Sequence, residues 1–105
     1  MEYRIKHIPT GLYYANGYKL SKKGKIYTKK GDNILEKDYS QETHGNKDSK
    51  SNARKGYINI LIQSPDSPIY KMTKDIIKWE ECRYGGMFLG YSAELPKSEF
   101  EIEYL

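Results

Sequence analysis

Residues 3–30 read YRIKHIPTGLYYANGYKLSKKGKIYTKK and contain the clearest structural pattern of the chain. Short β-branched and aromatic runs alternate with Thr-Gly, Asn-Gly and Lys-Gly breaks, as is typical of a β-meander, because glycine adopts the backbone of tight turns. Asn16-Gly17 is the strongest hairpin signal, since a type I′ turn needs positive φ at both central residues. These signals predict strands over residues 2–8, 12–15, 18–20 and 25–28.

Two later segments also alternate in the way that half-buried strands do. Residues 57–62 place three isoleucines on one strand face and predict the best core strand of the chain. Residues 99–104 predict a terminal strand whose three glutamates point outward and whose other side chains are buried, namely Phe100, Ile102 and Tyr104. We expect this strand to lie beside the first one, with Arg4 and Lys6 facing the glutamates.

The region between these strands is predicted to contain one helix. Thr73 is a suitable N-cap, with Asp75 in the first turn, for a helix over residues 74–83. A strand with Ile77 and Trp79 inward is the alternative, because the apolar positions fit the helical period only partly. Residues 69–72 are expected to pair briefly, residues 34–39 to form a short strand or one helical turn, and the glycines at 85, 86 and 90 to bound a hairpin.

These elements predict a single small α+β domain over residues 1–105. It is expected to be a mainly antiparallel, twisted sheet of about five to seven short strands with about one helix. Residues 40–56 contain no large apolar side chain, which predicts a flexible polar loop or a binding loop. The predicted core consists of Ile5, Leu12, Ile26, Ile58, Ile60, Ile62, Ile77, Trp79, Phe88, Phe100 and Ile102.

Charge is distributed unevenly along the chain. The net charge is +4, but residues 1–30 carry eight basic residues and one acidic one, whereas residues 63–105 carry five basic and eight acidic ones. Such polarity indicates either a basic binding face or two terminal strands that neutralise each other.

Composition also limits where the protein works. The single cysteine excludes an internal disulfide and fits a reducing compartment. No apolar run approaches the roughly 18 residues of a membrane span, and the N-terminus lacks the apolar core of a signal peptide. We therefore expect a cytoplasmic protein without a membrane partner.

No motif in the sequence predicts catalysis. A nucleophilic Cys82 would need a histidine or cation beside it, and the two histidines, His7 and His44, follow no metal-ligand or catalytic spacing. No glycine-rich nucleotide-binding loop occurs. We expect a protein that is not an enzyme and that takes no cofactor and no metal.

The basic, tyrosine-rich meander is the candidate binding surface. Its residues are Lys19, Lys22, Lys23, Lys25, Lys29 and Lys30, interleaved with Tyr13, Tyr14, Tyr18 and Tyr27. Lysines neutralise phosphates and rings stack on unpaired bases, so RNA, single-stranded DNA or a phosphate-rich ligand is one partner class. An acidic protein surface is a second partner class. The third interpretation is that this surface binds no partner and is only solvated. Only three arginines occur, which argues against specific base readout.

Residues 5–14, IKHIPTGLYY, followed by residues 20–27, LSKKGKIY, resemble the opening of small accessory proteins encoded by tailed bacteriophages. The closing residues 99–104, EFEIEY, resemble the end of such proteins. The resemblance implies a small protein made in the cytoplasm of the infected host, of the host-takeover or anti-defence type. It implies no functional residues.

These observations lead to one functional expectation and one alternative. The expectation is a non-enzymatic, phage-encoded inhibitor or modulator that binds a host or defence protein complex, which can itself carry nucleic acid, through the basic meander. The alternative is direct binding of RNA or single-stranded DNA.

Overall fold

The computed structural model describes residues 1–36 and 56–105. Its strands are β1 (Tyr3–His7), β2 (Leu12–Ala15), β3 (Lys19–Ser21), β4 (Tyr57–Ile62), β5 (Glu80–Tyr84), β6 (Met87–Pro96) and β7 (Phe100–Tyr104). One helix, α1 (Pro68–Thr73), and three 3-10 turns (Lys30–Asp32, Ile34–Glu36 and Lys97–Glu99) complete the described elements. The predicted polar loop lies outside the described residues except for Gly56, and the described part of residues 34–39 is a helical turn, not a strand.

The strands form two antiparallel sheets where the sequence predicted one. A four-stranded sheet has the order β3-β2-β1-β7, and a three-stranded sheet has the order β4-β6-β5. Seven strands, antiparallel pairing and one helix confirm the predicted mainly-β content. The division into two sheets arises because β4 pairs along its whole length with residues 91–96 of β6, whereas β1 pairs with β7.

The chain termini lie side by side, as predicted. β1 and β7 are paired over five residues, with Arg4 opposite Glu103 and Lys6 opposite Glu101. On the other face of β1, Tyr3, Ile5 and His7 are buried in strict alternation. Opposite charges outside and apolar side chains inside therefore specify the same register.

Residues 24–27 lie where β1 and β2 separate. β1 pairs with β2 only near Lys6 and His7, and beyond that point the Lys25 N–H donates to the Tyr14 carbonyl at 3.2 Å. Tyr27 exchanges two main-chain hydrogen bonds with Tyr3, of 2.8 and 2.9 Å. The predicted strand over residues 25–28 is therefore wrong, since only one isolated bridge forms there.

Gly24 is the point at which the chain crosses β2. β3 pairs with one side of β2, whereas Lys25 bonds to the other side. A Cβ on Gly24 would lie 2.3 Å from the Tyr13 Cβ, and its φ is +64°. Only glycine meets both conditions without strain.

The two sheets share one core. Its buried side chains are Tyr3, Ile5, Leu12, Tyr14, Leu20, Tyr27, Ile34, Ile58, Ile60, Ile77, Ala93, Leu95 and Phe100. Most of the predicted core is confirmed, but Ile26 and Tyr104 are 43% and 64% exposed. Trp79, Phe88 and Ile102 are half-buried. Ile26 is exposed because the bridge at Tyr27 turns the neighbouring residue outward.

The Asn16–Tyr18 hairpin loop joins the two sheets. The hairpin is confirmed, but its loop has three residues, and positive φ occurs at Gly17 (85°) and Tyr18 (63°), one residue later than predicted. A left-handed conformation costs a residue other than glycine about 1–2 kcal/mol. The Tyr18 carbonyl accepts a 2.8 Å hydrogen bond from the Leu61 N–H of β4, which holds the residue in this conformation.

The predicted helix over residues 74–83 is wrong, and so is the brief pairing over residues 69–72. The helix covers 68–73, with Ser67 as N-cap accepting from the Tyr70 N–H at 3.4 Å, and Thr73 ends it. Residues 80–84 form β5 because the Gly85-Gly86 turn returns the chain as β6. A hairpin with its turn at Gly85-Gly86 is confirmed, but Gly90, which was predicted to bound it, lies within β6. The alternative strand through Ile77 and Trp79 is not formed.

Candidate functional site

We call the six lysines Lys19, Lys22, Lys23, Lys25, Lys29 and Lys30 the basic turn surface. Lys19 lies on β3, and Lys22 and Lys23 lie in the turn that follows it. Lys25 lies in the segment 24–27 between β1 and β2, and Lys29 and Lys30 lie at the adjoining 3-10 turn. All six are exposed. The structure therefore brings every predicted lysine to the surface along one continuous piece of chain.

Hydrogen bonds hold the backbone of the basic turn surface. The Gly24 N–H donates to the Ser21 Oγ at 2.7 Å, and the Tyr3 hydroxyl donates to the Lys29 carbonyl at 2.7 Å. Together with the Lys25–Tyr14 bond these contacts fix the segment near its start, middle and end. The lysine side chains thus extend from a pre-organised backbone.

Two of the predicted tyrosines, Tyr14 and Tyr27, pack in the core next to this backbone. Tyr14 and Tyr27 are only 5% and 3% exposed. Tyr27 stacks on Tyr3 with 5.6 Å between ring centroids, and its hydroxyl donates to the Asn16 Oδ1 at 2.8 Å. Their ring faces are therefore not available to a partner.

The other two predicted tyrosines are half-buried. The Tyr13 hydroxyl donates to the Glu103 carboxylate at 2.9 Å, and the Arg4 guanidinium lies 5.5 Å from the Tyr13 ring centroid. Tyr18 sits at the tip of the hairpin loop that contacts β4. The Tyr13 ring is therefore engaged by partners within the four-stranded sheet.

Opposite charges face each other across the first and last strands. Arg4 and Lys6 lie opposite glutamates of β7, and Glu99 lies 3.1 Å from the His7 Nε2. Within residues 1–36 and 56–105, no ion pair joins Arg4, Lys6 or any of the six lysines to an acidic side chain. The predicted placement of opposite charges on neighbouring terminal strands is therefore confirmed, whereas a basic binding face stays a prediction.

A groove of about 280 Å³ lies beside Lys19, between the Asn16–Tyr18 loop, β4 and the start of α1. Its lining includes Leu20, Leu61, Gln63 and Ile69. Sequence reasoning missed this groove because its walls come from segments more than 40 residues apart, and no local pattern signals their contact.

His7 is buried and holds three elements together. Its Nδ1 lies 2.8 Å from the Thr10 Oγ1 and its Nε2 lies 3.1 Å from the Glu99 Oε1. The Thr10 hydroxyl also accepts from the Leu12 N–H at 3.2 Å. Since the imidazole is only 1% exposed, this hydrogen-bonded group joins β1, the turn that follows it and the 3-10 turn before β7.

Cys82 and the other possible ligands form no reactive cluster. The Cys82 thiol is half-buried and donates to the Ser92 Oγ at 3.5 Å. Across the described ranges, no group of three or more His, Cys, Asp or Glu side chains is arranged to hold a metal ion.

Because Tyr27 is buried, we expect the stability of the folded protein to fall at alkaline pH. Burial, then the nearby Tyr3 phenol and Asp32 carboxylate, raise the pKa of Tyr27 from 10.0 to about 12. The unfolded chain releases this proton first, so the stabilisation is complete below pH 10 and is lost as pH rises to about 12. We expect the free energy of unfolding to fall by about 2–3 kcal/mol across this range, measured by urea denaturation.

Phenylalanine variants test the assignment of this pH dependence. Tyr27→Phe should reduce the alkaline decline, whereas Tyr84→Phe, which changes a 78% exposed tyrosine, should retain it in full. An unchanged decline in Tyr27→Phe would assign the effect to another group.

Comparisons with known proteins found no matching family model, no matching curated protein and no matching solved structure. Among the residues that the structure describes, no helix has the length and apolar character needed to cross a membrane.

Proposed function

We propose that this chain is a non-enzymatic interaction protein that binds an acidic surface of a host or defence protein complex through the basic turn surface. In this role it acts as a phage-type inhibitor or modulator in the host cytoplasm. The observation that supports the proposal most directly is the set of six exposed lysines on a backbone fixed by hydrogen bonds. Such a surface steers an acidic partner and loses little backbone entropy on binding.

A protein partner fits this surface better than single-stranded nucleic acid does. Proteins that bind single strands combine positive charge with open ring faces, and here Tyr14 and Tyr27 are buried. Lysine alone attracts phosphates without reading bases. Direct nucleic-acid binding is therefore the alternative, and nuclease treatment distinguishes it from binding to a protein.

The groove beside Lys19 adds apolar surface to the charged one. Protein interfaces combine an apolar centre with a polar rim. Leu20, Leu61 and Ile69 line the groove, and Lys19 stands at its edge. A partner with an apolar side chain next to acidic residues would fill both.

Charge reversal tests the basic turn surface. The variant Lys22→Glu, Lys23→Glu, Lys25→Glu should lower partner affinity by about 10- to 100-fold, because three attractive contacts become repulsive. The measurement is affinity capture from bacterial lysate with and without nuclease treatment, followed by titration of the captured protein. The matched control, Lys71→Glu, Lys74→Glu, Lys78→Glu, changes the net charge equally at three exposed lysines of another region and should bind like the wild type.

Two outcomes would contradict the proposal. Capture that disappears on nuclease treatment would identify a nucleic-acid binder. Equal capture by the wild type and the Lys22, Lys23, Lys25 variant would show that the basic turn surface is only solvated.

A further inference from the structure

Strand β5 is an open edge of the three-stranded sheet. β6 pairs with one side of β5, and within residues 1–36 and 56–105 no strand pairs with the other side. The side chains of Glu81 and Arg83 are 52% and 50% exposed and form an ion pair on one face of the strand, with 3.1 Å between the Arg83 Nε and the Glu81 Oε2. An unpaired edge of this kind is a template for another strand.

The main chains of Glu81 and Arg83 face this open side. Tyr84 and Met87 flank the two-residue turn and form the first hydrogen-bonded pair of the hairpin. Because hydrogen-bonded and non-hydrogen-bonded pairs alternate, every second residue back from Tyr84 faces β6 and the residues between face outward. The register shift opposite Cys82 is taken up within β6, so the alternation along β5 continues.

The charges of β5 are complementary to a second copy in one register. In an antiparallel pair, residues whose main chains face outward must lie opposite each other. This condition leaves three registers that have two-fold symmetry. Two of them place Glu81 against Glu81 or Arg83 against Arg83. The register centred on Cys82 places Glu81 opposite Arg83 of the second copy, and does so twice.

We propose that β5 pairs antiparallel with β5 of a second copy around a two-fold axis at Cys82. The two three-stranded sheets then become one six-stranded sheet of order β4-β6-β5-β5-β6-β4. Tyr84, which is 78% exposed, lies opposite Glu80 of the second copy at each end of this ladder. Because an edge ladder of five residues is smaller than a standard interface, we expect a Kd of about 1–100 µM.

Sedimentation equilibrium over a concentration series tests this pairing. The wild type should shift from 12.3 kDa towards twice that mass as its concentration rises. Glu81→Arg should raise the dimer Kd by about 10-fold or more, because two attractive pairs become repulsive. The double variant Glu81→Arg, Arg83→Glu restores opposite charges and should return to within about 3-fold of the wild type.

Two controls separate pairing from general charge and folding effects. Asp66→Arg makes the same charge change in an exposed loop and should leave the Kd unchanged. Circular dichroism checks that each variant retains the β-sheet spectrum.

Cys82 reports the register independently. Copper–phenanthroline with dioxygen oxidises two facing thiols to one disulfide, and the two electrons and two protons pass to dioxygen as hydrogen peroxide. Fast cross-linking in the wild type and the double variant, but not in Glu81→Arg, is expected. The proposal is overturned by a monomer at about 0.5 mM, by a double variant as weak as Glu81→Arg, or by equal cross-linking in all variants.

Discussion

Gly24→Ala is expected to lower the free energy of unfolding by about 3–4 kcal/mol, a large part of the roughly 5–15 kcal/mol that is typical of a folded protein. The new Cβ would meet the Tyr13 Cβ at 2.3 Å and the Tyr14 carbonyl oxygen at 3.0 Å. Both obstacles belong to β2, which cannot move without breaking its pairing with β1 and β3. The φ of +64° adds the cost of a left-handed alanine.

Gly11→Ala is the matched control for Gly24→Ala. Its φ of +72° is similar, but no atom lies within 4 Å of the new Cβ. Gly11→Ala should therefore cost only about 1 kcal/mol. Urea denaturation of both variants separates the steric effect from the backbone effect, and equal losses would show that Gly24 does not lie against β2.

His7→Ala is expected to lower the free energy of unfolding by about 2–4 kcal/mol. The substitution removes a fully buried ring that lies 4.8 Å from the Phe100 ring and bonds both Thr10 and Glu99. It leaves a cavity between β1 and β7 and removes the partners of two polar groups. Thermal and urea denaturation measure the loss.

Ile8→Ala is the control for His7→Ala. Ile8 follows directly in the chain but is 51% exposed, so its truncation should change stability by less than about 0.5 kcal/mol. A loss below about 1 kcal/mol for His7→Ala would contradict a structural role for the imidazole.

The two proposed surfaces lie on different sheets and can be tested separately. The basic turn surface belongs to the four-stranded sheet, and the β5 edge belongs to the three-stranded one. Glu81→Arg should therefore leave the intrinsic affinity for the partner protein unchanged, and the lysine variant should leave the dimer Kd unchanged. A dimer would present two basic turn surfaces and raise avidity for a partner with two acidic sites.

Local patterns predicted much of the fold. Alternation in Tyr3–His7 and Phe100–Tyr104 and the every-second-residue isoleucines of Tyr57–Ile62 identified β1, β7 and β4, because a strand with one buried face repeats its apolar residues with a period of two. Opposite charges on the first and last strands predicted their pairing, and glycine-containing turns predicted both hairpins. The exposure of the six lysines could be predicted from residue type alone, since long charged side chains remain in water.

Tertiary contacts decided the rest. Residues 80–84 became a strand because β6 offers them a partner, which outweighs a weak helical pattern. Residues 24–27 entered the gap between β1 and β2, and this placed Tyr27 in the core instead of on the binding surface. Exposure of a tyrosine, the groove beside Lys19 and the open edge of β5 all depend on which distant segments meet. A local sequence pattern indicates that a segment forms a strand with one buried face, but it does not indicate which distant segment covers that face.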